Sequence, residues 1–203
     1  MRPRMLSRMR TGFLLIALAS CSGSTEFGAA PADGRGMLVI AVDGLRADHL
    51  TCYGYDRRTT PELDELARDG VRFENAFTTA PAAFQALASL LTGCDPLVSK
   101  RFLPPDVPPT LQTHWYVSES APHLAYELLR NGWRTAAFLD DDAFAGPFGL
   151  ARGFNEFQEL ESGGDAGSQS SATLDRLARW LDENDANERW FALVHLGALR
   201  RTW

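Results

Sequence analysis

The sequence predicts an α/β fold, a parallel-type central sheet covered by helices on both faces. Three observations point there. Short, continuous apolar runs of strand length occur at residues 37–42 (MLVIAV) and 190–196 (WFALVHL), the pattern of strands buried on both sides. Amphipathic stretches of helical period lie between such runs, and the two kinds of segment alternate along the chain. The composition, 45% apolar and 23% charged over 203 residues, is that of a globular chain long enough for one domain with a core of its own.

Taken in order, the run at 37–42 is rich in β-branched residues and ends at Asp43. Thr60-Pro61 followed by ELDELARDG predicts a helix: a cap residue, proline in the first turn, early acids, and Gly70 to close it. Residues 71–77 alternate in strand fashion, with Val71, Phe73 and Asn75 on one face and Arg72, Glu74 and Ala76 on the other. Residues 82–92 (AAFQALASLLT) carry Phe84, Leu87, Leu90 and Leu91 and stop at Gly93, which predicts a largely buried helix. Residues 95–109 contain five prolines and read as a surface connection. Residues 124–129 (LAYELL) form a helix ending at Asn131-Gly132, followed by a strand over 134–139 (RTAAFL). Residues 162–171 read as a Gly- and Ser-rich loop. Residues 171–183 place Leu174, Leu177, Ala178 and Leu181 on one helical stripe, before the last strand at 190–196.

Lys and Arg number 20 against 26 Asp and Glu. Arg2, Arg4, Arg8 and Arg10 stand before residue 21, where there is no acid, so the chain from residue 21 onward has 16 basic against 26 acidic residues, a formal charge of −10. Such a surface excludes nucleic acid as the main partner, because phosphate binding needs clustered cations. The four arginines followed by the apolar run at 12–19 (GFLLIALA) describe an export signal rather than a spanning helix, which needs about 20 apolar residues. Residues 18–21, Leu-Ala-Ser-Cys, resemble a bacterial lipobox, in which Cys21 would be lipidated and become the mature N-terminus of a membrane-anchored envelope protein. The alternative is a plain secretory signal with an incidental cysteine. The chain thus divides into a signal (1–20), a flexible tether (21–36) and one domain (37–203). In an oxidising compartment Cys52 and Cys94 could form a disulfide.

Several phrases in order carry a family resemblance: VIAVDGLRADHLTCYGYDRRTTPELDELARDGVRFENAF at 39–77, ASLLTG at 88–93, LLRNGWRTAAF at 128–138 and FGLARGFNEF at 148–157. Together they resemble the N-terminal part of a bacterial sulfatase of the alkaline phosphatase superfamily. The resemblance implies an alkaline-phosphatase-like α/β sandwich and hydrolysis of a sulfate or phosphate ester, on a small molecule or glycan, at a divalent metal such as Ca²⁺ or Mg²⁺. It also implies that Asp43, the aspartate after the first strand, is a metal ligand. Ligands gather at the carboxyl ends of parallel strands, and hard cations take oxygen donors. The alternative is that Asp43 caps the following turn.

The family writes its nucleophile as Cys, Ser or Thr in a Cys-x-Pro-Ser-Arg phrase directly before the segment resembling ASLLTG. Here those five positions are Ala83, Phe84, Gln85, Ala86 and Leu87. A methyl group can become neither an aldehyde hydrate nor a covalent intermediate, so the expectation is a sulfatase-like chain that does not hydrolyse esters. Thr78 and Thr79 come four or five residues early. Cys94-Asp95-Pro96 imitates the phrase but follows the helix instead of opening it. Asp140, Asp141 and Asp142 fall where many sulfatases place an ester-contacting lysine and histidine, and read as a solvated loop run. After His195, which aligns with the outer histidine of a VHLMDPH-type phrase and reads equally as a core residue, the chain has Gly197-Ala198-Leu199-Arg200. The inner histidine and the downstream Asp-His-Gly-type metal ligands are therefore expected to be absent, leaving the sandwich incomplete at its C-terminus. The alternatives are a non-catalytic envelope protein that binds sulfated or phosphorylated glycans, or a truncated gene fragment.

Overall fold

The structure is a computed structural model that describes residues 14–20, 36–96, 116–140, 144, 149–159, 166–183, 188–197 and 199. Its strands are β1 (Leu14–Ser20), β2 (Gly36–Val42), β3 (Arg134–Leu139), β4 (Glu156–Glu159) and β5 (Trp190–Leu196). Its helices are α1 (Pro61–Asp69), α2 (Ala83–Thr92), α3 (Leu124–Arg130) and α4 (Ala166–Asp182). The strands form one sheet in the order β1-β2-β5-β3-β4. β2, β5, β3 and β4 run parallel, and β1 pairs antiparallel with β2. The parallel strands are those expected from the apolar runs, except that β4 was not anticipated. β1 lies inside the segment read as an export signal and ends at Ser20, directly before Cys21. Cys21 itself and the proline-rich connection from residue 97 onward lie outside the described residues.

Alternation along the strands divides the core in two. Val39, Ala41, Ala137, Leu139, Phe191 and Leu193 face one way and bury Leu87, Ala88 and Leu91 of α2 with Ala125 of α3. Ala136, Phe138, Ala192 and Val194 face the other way and bury Leu177 and Trp180 of α4. Helices on both faces explain why β2, and most positions of β3 and β5, are apolar on both sides of the sheet.

α1 begins with its proline and ends before Gly70, and α2 ends at Gly93 with φ 66°, both as expected. α4 differs in phase. Its buried residues are Ser170, Thr173, Leu177 and Trp180, while Leu174 is 41% exposed and Ala178 is exposed. Aliphatic counting set the stripe one position off, because Trp180 dominates by packing edge-on against Phe138 and Trp190. The helix also starts earlier, at Ala166, inside the stretch read as a loop.

Residues 71–77 do not form a strand. They are exposed throughout, with Val71 at 74%, Phe73 at 68% and Phe77 at 78%. Alternation alone does not make a strand, since none of the sheet's strands pairs with this segment. Its contacts are made from the side: Tyr53 Oη donates to Phe73 O at 2.8 Å, and Arg72 lies over the Tyr53 ring. Phe73→Lys is accordingly expected to shift stability by no more than about 0.5 kcal/mol, checked by urea unfolding; a loss several times larger would mean that this ring packs against something.

Candidate functional site

Three of the residues singled out above, Asp43, Asp140 and His195, stand at the carboxyl ends of parallel strands. Asp43 is the first residue past β2, where the chain turns at Gly44 (φ 76°). Its N–H donates to Leu196 O at 2.8 Å, which extends the β2–β5 ladder by one bond. Asp43 is half-buried. Among the described residues no three His, Cys, Asp or Glu side chains gather as metal ligands. A hard cation takes about six or more oxygens, so the described residues do not amount to a divalent-ion site.

α2 packs on the sheet face that carries Val39 and Ala41. Ala83 is its first residue, half-buried, after an N-cap position held by Ala82 without a side-chain hydrogen bond. This is the helix end at which backbone N–H groups and the macrodipole favour anions, and the side chain there is a methyl group. The nearby hydroxyls do not replace it. Thr78 Oγ1 closes a local turn, donating to Ala80 O at 2.9 Å, and Thr79 is exposed before the helix. Cys94 lies past Gly93 at the other end of α2, its Sγ 3.5 Å from Thr92 O. Cys94 and Cys52 are both free thiols, so the structure does not form the disulfide considered above. Burial and the Asp64 carboxylate push the Cys52 thiol pKa up, which holds it as a thiol.

Asp140 corrects the sequence reading. It is not a solvated loop acid but is 6% exposed. Its carboxylate accepts the Ser170 hydroxyl at 2.5 Å, the Gly197 N–H at 2.7 and 2.8 Å, and His195 Nδ1 at 3.2 Å. Burial alone would raise its pKa, but the bonds from His195, Ser170 and Gly197 together outweigh that and hold it below the usual carboxylate value. Asp141 and Asp142 lie outside the described residues. His195 is fully buried with its ring against Phe144, centroids 4.6 Å apart. Of its two sequence readings, the histidine packed on a core strand is the one observed.

A second buried imidazole had no signal in the sequence. His123, at the N-cap position of α3, is 1% exposed and packs edge-on against Phe154. Burial pushes its pKa down to about 4, helped by the Arg152 guanidinium. Arg152 in turn donates to Glu119 O at 2.5 Å and Ala121 O at 2.9 Å, which ties the phrase at 148–157 to the turn before α3.

Parts of this chain are similar to known proteins in sequence and in fold. An arylsulfatase of Clostridium perfringens is 42% identical over 57 residues, which cover 28% of this chain and 12% of that protein. A solved structure described as a complex with its substrate D-glucosamine-2-N,6-O-disulfate superposes with a TM-score of 0.65 at 18% identity, over 82% of this chain and 35% of that one. The zinc complex of the C-terminal periplasmic domain of EcEptC from Escherichia coli gives a TM-score of 0.56 at 20% identity, over 81% of this chain and 44% of that domain. These solved structures share the alkaline-phosphatase-like fold, and this chain spans less than half the length of each protein named. The Sulfatase family model matches residues 35–198, nearly all of the sheet and its helices, and the chain belongs to the sulfatase family.

Proposed function

We propose that this chain is an exported, lipid-anchored member of the sulfatase family that does not hydrolyse sulfate or phosphate esters. The carrying observation is Ala83 as the first residue of α2. Covalent ester hydrolysis there needs an oxygen or sulfur nucleophile, and a methyl group accepts no sulfuryl or phosphoryl group. Gln85 and Leu87, in place of the family's proline and arginine, also leave no cation to hold the ester. Asp43 keeps the family's first metal-ligand position, where Ca²⁺ or Mg²⁺ would need further oxygens beyond those described. Cys21 is the proposed lipid attachment point, which places the protein on the bacterial cell envelope.

The test is turnover. Purified protein given an aryl sulfate or an aryl phosphate, with Ca²⁺, Mg²⁺ or Mn²⁺, is expected to release no phenol above the buffer rate; saturable release would overturn the reading. The anchor is checked separately by mass analysis of the mature N-terminus, which should begin at an acylated Cys21; an N-terminus elsewhere would remove it.

A second reading, non-catalytic binding of sulfated or phosphorylated glycans, draws support from the relative whose described substrate is a sulfated glucosamine. The −10 charge of the chain beyond residue 20 works against polyanions. Binding to a sulfated-glycan array without turnover would favour this reading, and a flat array would count against it.

A further inference from the structure

The end of β5 is held in an unusual way. Asp140 Oδ1 lies 3.2 Å from His195 Nδ1 and 2.8 Å from Gly197 N, while Oδ2 lies 2.5 Å from Ser170 Oγ and 2.7 Å from Gly197 N. Leu196 stands between the two β5 residues so gripped, and its carbonyl oxygen accepts the Asp43 N–H at 2.8 Å. The Asp140 N–H also donates to His195 O at 3.3 Å. One carboxylate therefore clasps β5 on both sides of the carbonyl that fixes the backbone of Asp43.

We infer that Asp140 is a positioning residue for Asp43, acting through His195, Leu196 and Gly197 to set where the carboxylate at the end of β2 stands. Charge supports this as well as distance. An ionised carboxylate only accepts, so His195 donates to it from Nδ1, and the other ring nitrogen is Nε2. That atom is buried and has no hydrogen-bond partner among the described residues. The pairing follows the pattern by which a carboxylate locks the tautomer and orientation of an imidazole. Gly197 suits the clasp because a Cβ at that residue would sit 3.3 Å from Asp140 Oδ1, closer than most side chains tolerate. Ser170 brings in α4, so three segments distant in sequence meet at one carboxylate. The ligand role of Asp43 belongs to the reading proposed above, whereas the positioning claim needs no bound metal, and its readouts use none.

The test is NMR on the purified chain. In the wild-type protein the His195 ring should carry a proton on Nδ1; a ring protonated on Nε2 alone would overturn the inference, because Asp140 would then not be the acceptor. In Asp140→Asn one oxygen is replaced by an amide NH₂ facing the Gly197 N–H. Amide exchange at Asp43 should then accelerate at least about tenfold, while Val39, in the middle of β2, changes by less than about twofold. Equal acceleration at both positions would mean general loosening, and none at Asp43 would mean that Asp140 does not reach it; either result rejects the inference. Should Asp140→Asn fail to fold, the same comparison of Asp43 and Val39 exchange in Ser170→Ala, which removes one donor to that carboxylate, decides, and no acceleration at Asp43 there rejects the inference.

Discussion

Gly153→Ala is expected to cost at least about 4 kcal/mol of stability, enough to unfold a marginal domain. Gly153 has φ 83°, a conformation in which an L side chain is itself strained by about 1–2 kcal/mol. A Cβ there would also run into the backbone N and Cα of Tyr126 and come within 2.7 Å of the Ala125 carbonyl carbon. Those atoms belong to α3, whose Ala125 is fully buried, so the helix would have to move off the sheet to make room. The Gly153 carbonyl also accepts Thr135 Oγ1 at 2.7 Å, which ties the same turn to β3. Gly54 provides the control. Its φ is 96°, but nothing lies within 4 Å of the position a Cβ would take, so Gly54→Ala should cost only the backbone strain, about 1–2 kcal/mol. Urea unfolding of both variants measures the contrast, and equal costs would contradict the close approach of Gly153 to α3.

The second large effect is acid sensitivity from His123. Its folded pKa is about 4, against about 6.5 in an unfolded chain. The unfolded state therefore binds more protons between those values, and stability falls as pH falls. The contribution is complete above about pH 6.5 and is lost progressively toward pH 4, about 3 kcal/mol in all. Asp140, whose folded pKa is lowered, acts in a different window, since its contribution is lost only below the ordinary carboxylate range. Between pH 6.5 and 4.5 His123 lowers stability as pH falls, while Glu159, whose carboxyl pKa burial raises, acts in the opposite sense toward the acid end. The difference between wild type and a His123 variant in the slope of stability against pH therefore reports His123. His123→Phe should flatten that slope while keeping an aromatic ring against Phe154; an unchanged slope would place the proton elsewhere.

The features that sequence made readable are those set by local chemistry. β2 is a continuous apolar run, β3 and β5 are short and largely apolar, and α1 and α2 carry their own start and stop signals in Pro61, Gly70 and Gly93. What escaped reading depends on partners distant in the chain. β4 (EFQE) has a single apolar side chain and is a strand because Ala136 to Leu139 pair with it. Residues 71–77 have the alternation of a strand but no neighbour to complete it. Asp140 resembles a solvated acid until donors 30 and 57 residues away, on Ser170 and Gly197, close on it. At the candidate site, the positions of Asp43 and Ala83 could be read because strand end and helix start are local features. The inward turn of Asp140 and the burial of His123 could not, since both are products of packing.

Ala83, at the start of α2, has a side chain that can carry no covalent intermediate. Intact-protein mass spectrometry after acid quench, with the protein held in excess aryl sulfate or aryl phosphate and divalent cation, tests it most directly. The mass is expected to stay unchanged at every time point. A sulfuryl or phosphoryl adduct mapping to residues 78–94 would contradict it.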